Sequence, residues 1–231
     1  MQTTAGSPQE TNRAQTVALG LLPWLAAWLG SYMLHSAVAA FLLYHLLCLT
    51  CWAAYRRRYG RFEGLVVPRA RWIVLIAAAM GIMGATYFAV GYLGWLINPV
   101  YIRTALAAQH VGVTTLDYAA LFLYFALVNP VAEELFWRET IYQRMRREGY
   151  TAARAALFSA VLFGSWHWLI VRLFFPAGWS ILLTFGIVAA GAVFANVFER
   201  IRSIAFCVLL HALAADIPIL LALWFGALAK G

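Results

Sequence analysis

Charge is scarce in this sequence. Only 11% of its 231 residues are Asp, Glu, Lys or Arg, where a soluble domain carries about 25%. Acidic residues number 9 and lysine occurs once, at Lys230. That shortage excludes a disordered chain and a coiled coil, both of which depend on abundant charge. Cysteine is sparse as well. Cys48, Cys51 and Cys207 cannot supply a disulfide framework. Cys48 and Cys51 form a C-x-x-C inside an apolar run, which reads as packed or lipid-facing thiols rather than a redox pair. The opening MQTTAGSPQETNRAQ lacks the compact basic region and small-residue cleavage site of a signal peptide. It reads as a polar tail over residues 1–15. Internal repeats and low-complexity segments are also missing.

What the chain has instead is apolar surface. Hydrophobic residues make up 64% of it and its mean hydropathy is +0.78. A soluble globule cannot hide that much. The fold class expected is therefore all-α, a polytopic integral membrane protein with about seven transmembrane helices in a single membrane domain over 1–231. The net charge of +8 would point to nucleic acid in a soluble domain. Here the arginines cluster in short loops between apolar runs, so the lipid bilayer is the partner expected and nucleic acid is not.

A spanning helix needs about 20 apolar residues. The stretch from Thr16 to Tyr55 is about twice that, so it reads as two helices broken near Gly30 and Ser31. YRRRYGRFEGLVVPRARW then marks an inner loop. A third span is expected from about Trp72 to Ile97, and a fourth from Leu116, broken at Asn129 and Pro130 before an acidic pair. The basic run at Arg144, Arg146, Arg147 and Arg154 returns the chain inside. Ala155–Phe175, Trp179–Phe198 and Ser203–Ala229 complete the count. The arginine asymmetry puts the N-terminus inside at every loop. Residues 16–110 form an N-terminal set of helices, and 115–220 hold the chemistry.

Each ionisable group near the bilayer centre costs roughly 2.5–3.5 kcal/mol on insertion scales. The last four spans nonetheless keep Glu133, Glu134, Arg138, His167, His211 and Asp216. Asp117 and Arg172 lie at span ends, where snorkelling is cheap, and Glu139 is expected at the inner interface. Glu134 and Arg138 stand at i and i+4 and can pair, while Glu133 is turned about 100° away. One carboxylate can thus be held while its neighbour stays free to react; a purely structural Glu–Arg pair would read the same way. Phe163 lies one turn before His167, with Gly164 and Ser165 allowing close helix approach. His211 and Asp216 are five residues apart, about 140° on a straight helix, so sharing a face requires a bend; Pro218 makes one possible. A glutamate with two histidines can activate water and stabilise an oxyanion. The same side chains could hold zinc, although no HExxH spacing signals it and no cofactor is expected. His35, His45 and His110 read as structural.

Glu133–Glu134–x₃–Arg138, Phe163–x₃–His167 and a distal His211 together resemble the CPBP intramembrane endopeptidases, which include the type II CAAX prenyl endopeptidases and the Abi proteins. The likeness covers about residues 115–220. It implies a CAAX-protease-like helical bundle acting on a membrane-associated protein or peptide. Carried onto this chain, Glu133 with His167 would activate water, Glu134 and Arg138 would support the site, and His211 would stabilise the oxyanion. The family's last motif carries Asn, less often Asp, four residues after its histidine. Ala215 stands there, so either a helix irregularity brings Asp216 round, or another group such as Asn196 substitutes, or the oxyanion site is weakened. A non-catalytic immunity or partner protein on the same scaffold is the first alternative, and a proton-coupled transporter the second. An Ala- and Arg-rich chain with one lysine points to a high-GC bacterium and its inner membrane.

Overall fold

The computed structural model describes residues 12–60, 99–112 and 114–224, with parts of 72–85. The third expected span, Trp72–Ile97, lies largely outside the described residues. Helix α1 covers Arg13–Met33, α2 Ala37–Tyr59, α3 Pro99–Ala108, α4 Thr115–Arg147, α5 Ala152–Phe174 and α6 Ala177–Ile201, and α7 begins at Ile204 and runs to Leu223. Six of these are long and apolar enough to cross a bilayer. Among the described residues there is no strand, so the helical membrane bundle expected from composition is what the chain forms.

Local chemistry sets where the helices start. Thr114 and Asp117 form a reciprocal capping box that opens α4. The side chains of Ser36, Thr151 and Ser203 cap α2, α5 and α7 by accepting from backbone N–H groups. The first break falls slightly later than the sequence implies. At Gly30 and Ser31 the chain widens into a π-helical turn, Leu29–Met33, and it leaves the helix at His35, whose φ is 51°. His35 therefore lies in the turn between α1 and α2 rather than inside a span.

Asn129 and Pro130 do not break α4. They follow a π-helical turn, Tyr124–Val128, in which Asn129 N–H bonds to Tyr124 C=O, five residues back. A proline lacks the N–H of an α-turn and its ring crowds the carbonyl four residues earlier. One extra residue in the preceding turn absorbs both problems, and the helix continues. The same device recurs in α7, where Ala212–Asp216 is a π-turn, Ile217 N–H bonds to Ala212 C=O, and Pro218 follows.

Helix α4 sits at the centre. Its residues 132–142 are buried without interruption. They pack against Tyr44 and Cys48 of α2, Phe163 and Trp166 of α5, Ala195 and Phe198 of α6, and Cys207 of α7. A β-carbon at Gly164 would fall 2.3 Å from Val188 Cγ2 and 2.7 Å from Val188 N, so the α5–α6 contact is close enough to require glycine. Polar links sort the helix ends. Arg144 Nε donates to Thr16 Oγ1 at 2.9 Å, Arg147 Nε to Tyr55 Oη at 3.1 Å, and Arg146 and Arg202 both pair with Glu199. These put the start of α1 and the ends of α2, α4 and α6 at one basic end. At the other, Gln109 Nε2 donates to Ser31 C=O at 3.1 Å and Tyr118 Oη to Leu220 C=O at 2.6 Å.

Candidate active site

Glu133 and Glu134 follow the Pro130 turn on the buried part of α4, 2% and 0% exposed. Glu134 is held from two sides. Its Oε2 lies 3.1 Å from Arg138 Nε, and its Oε1 accepts from His211 Nδ1 at 2.8 Å. The Arg138 guanidinium is itself sandwiched, with its central carbon 4.9 Å from the Phe163 ring centroid and 5.4 Å from that of Phe194. Its Nη2 donates to Gly191 C=O at 3.4 Å. Aromatic faces attract a desolvated cation, and a planar guanidinium fits between two rings as an ammonium would not.

His211 brings α7 to the carboxylates. Its Nε2 is 3.5 Å from Glu133 Oε2 and 3.6 Å from Asp216 Oδ1. Those gaps exceed an ordinary N–H···O bond of about 2.7–3.2 Å, so Nε2 is not committed to either carboxylate. Asp216 reaches the ring because the π-turn inserts one residue between them. On an unbroken α-helix Asp216 would point about 140° away; here it faces His211, and Asn129 Nδ2 donates to its Oδ2 at 3.0 Å. The helix irregularity, rather than Asn196, brings a polar group round. Asn196 is exposed, and its Nδ2 donates back to Ala192 C=O at 2.8 Å.

His167 joins through Phe163. Its Nδ1–H donates to Phe163 C=O at 2.8 Å, which leaves Nε2 with the acceptor lone pair in a neutral ring. The Phe163 ring lies 4.9 Å from that of His167 and 6.4 Å from that of His211. Phe163 is therefore the wall shared by both histidines and Arg138. Among the described residues no three of His, Cys, Asp and Glu converge as they would around a metal ion.

Several neighbours were not singled out from the sequence. Tyr44 of α2 receives Trp137 Nε1–H on its hydroxyl at 2.8 Å and faces Glu133. Asn129 resembled a helix breaker, and His45 resembled a lone structural histidine. Glu139, expected at the inner interface, is 2% exposed and accepts from Trp52 Nε1 at 2.8 Å. The π-helical stretch Leu135–Tyr142 turns it inward. Cys48 and Cys207 are packed in the core as free thiols.

Fold and site together define a polytopic helical membrane protein with a buried centre of three carboxylates, one guanidinium and an imidazole, walled by aromatic rings. Residues 115–215, the stretch that carries almost all of this centre, match the family model of the type II CAAX prenyl endopeptidases, Rce1-like. That segment is therefore similar to a family of CAAX-type intramembrane proteases. No curated protein and no solved structure matches the chain.

Proposed function

We propose that this chain is an intramembrane endopeptidase that hydrolyses a peptide bond in a membrane-associated protein or peptide. Glu133 is the group left free to react, since Glu134 is taken up by Arg138 and His211. Glu133 accepts a proton from water, and the His167 Nε2 lone pair orients that water. The hydroxyl adds to the scissile carbonyl. The uncommitted His211 Nε2–H donates to the oxyanion as it forms. The C–N bond then breaks, and the leaving nitrogen takes the proton back from Glu133. Glu134 and Arg138 hold the frame, and Phe163 keeps the two imidazoles at a fixed separation.

One observation carries this reading. A carboxylate 2% exposed stands beside an imidazole whose nearer nitrogen has no bond of ordinary length, within the segment that matches the family. On this reading the protein sits in a bacterial inner membrane with its N-terminus and basic end inside, supported by the arginine asymmetry of its loops. A peptide or a membrane-anchored sorting tail is favoured as substrate over a prenylated protein, because prenylated proteins are not expected in such a cell.

The test compares membrane-peptide termini in cells carrying the wild-type chain or Glu133→Gln at matched levels. New termini that vanish in the variant support a protease and identify its substrate. Identical termini, with both proteins folded, refute the assignment of Glu133 and leave a non-catalytic partner.

A further inference from the structure

Behind His211 lies a second row of buried polar side chains drawn from two other helices. Asn129 of α4 is 4% exposed and His45 of α2 is 3% exposed. Asn129 Nδ2 donates to Asp216 Oδ2 at 3.0 Å. His45 Nδ1 bonds to the Tyr124 hydroxyl, and its ring faces Asn129. His45 Nε2 and Asn129 Oδ1 are both fully buried, and neither has a hydrogen-bond partner. The two are complementary. With the Tyr124 hydroxyl donating to Nδ1, the ring carries its hydrogen on Nε2, which suits the Asn129 carbonyl. A small rotation that joined them would leave every donor in the row pointing one way, from Tyr124 through His45 and Asn129 to Asp216, which also faces His211 Nε2.

The backbone is arranged to make this row. Tyr124 begins one π-turn and Asn129 follows it, while Asp216 ends the other. The two widened turns pack against each other. Asn129 also stands four residues before Glu133 on α4, one helical turn along the same face. A buried polar network half satisfied is costly, and a complete one fixes geometry.

We infer that Asn129 and His45 are positioning residues for the Asp216–His211 pair, with Asp216 as the group that the Asn129 amide anchors. Asp216, held from behind by Asn129, fixes the orientation of the His211 ring and keeps Nε2–H available to the site. The inference rests on the peptidase reading for its catalytic consequence, while the positioning itself is a property of the folded chain.

The experiment uses the full chain in lipid nanodiscs, with ¹⁵N-labelled histidine. The His211 resonances are assigned by their loss in His211→Gln. Asn129→Leu and His45→Leu are expected to shift them, and the exchange Asn129→Asp/Asp216→Asn to restore them, because it rebuilds the amide–carboxylate pair with the partners swapped. Asn129→Asp alone, which sets two carboxylates against each other, is not expected to restore them. The activity probes are a quenched-fluorescent farnesylated CAAX-box peptide and a synthetic transmembrane peptide. On whichever is cleaved, Asn129→Leu is expected to lower kcat on the order of tenfold to a hundredfold with KM little changed, as for partners that orient a reacting ligand. His211 resonances unmoved in Asn129→Leu, or an exchange variant no better than Asn129→Asp, overturn the proposal. Should Asn129→Leu fail to fold, the contrast between the exchange variant and Asn129→Asp decides alone. If wild type cleaves neither probe and leaves no new termini in cells, the peptidase reading fails while the resonances still decide the positioning.

Discussion

Arg138→Met is the most informative single perturbation of the fold. It removes a guanidinium that is 1% exposed, 3.1 Å from Glu134, and sandwiched between Phe163 and Phe194. Methionine can refill much of the volume between the rings, so the loss is chiefly electrostatic. Glu134, 0% exposed, keeps only His211 as a direct partner. Stranding one member of a buried ion pair costs about 3–5 kcal/mol, whereas replacing both members by neutral groups is often close to neutral. Taking about 2–4 °C per kcal/mol for a chain of this size, as for soluble domains, the melting temperature should fall by roughly 6–20 °C. Adding Glu134→Gln should recover at least half of that loss. The chain carries its own reporter, since Cys48 and Cys207 are fully buried thiols. A thiol-reactive fluorogenic dye reads unfolding in detergent as these two become accessible, above a baseline from the half-buried Cys51. The reasoning is refuted if Arg138→Met melts within about 2 °C of wild type, or if the double variant melts as low as the single one.

Other outcomes follow from the same structure. Gly164→Val would drive a side chain into the Val188 backbone and should cost about 1–3 kcal/mol or more by overpacking; the same thiol melt reads it. Thr114→Ala removes the capping box of α4 and should cost about 1 kcal/mol with no effect on the centre, seen as a small melting shift with unchanged cleavage. Glu133→Gln should leave the melting temperature within a few degrees of wild type while abolishing turnover, because no hydrogen-bonded ion pair anchors that carboxylate. In a chain whose native cysteines are replaced by alanine, His110→Cys should react with an impermeant maleimide from outside intact cells and Arg57→Cys should not. The opposite pattern would reverse the orientation.

Much of this was legible in the chain. The arginine-rich ends mark the basic end, and the i, i+4 spacing of Glu134 and Arg138 gives their pairing, because both depend on distances of a few residues. Phe163 and Gly164 likewise read correctly as contact points on α5. Asp216 was legible as a neighbour of His211 only as one alternative, since a straight helix turns it away and an irregularity, here a π-turn, is needed to correct the phase. Pro218 was the signal for that irregularity, and Pro130 in α4 marks the same device: each proline follows a widened turn that accommodates its ring. Asn129 and His45 were missed for a different reason. Their significance depends on α2 and α7 both packing against α4, and no local pattern reports which helices become neighbours. The burial of Glu139 against Trp52 was hidden for the same reason.

The burial of the centre has a consequence for supply. Glu133 lies 14 residues from the basic end of α4 at Arg147, at most about 21 Å at the α-helical 1.5 Å per residue, and it is 2% exposed. A hydrolase must be fed water as well as peptide, and at that depth water is a scarce reagent rather than the medium. On the peptidase reading, turnover would then depend on how often the helices part to admit a molecule of solvent. The same peptide should be cut more slowly as osmolytes lower water activity, even at saturating peptide.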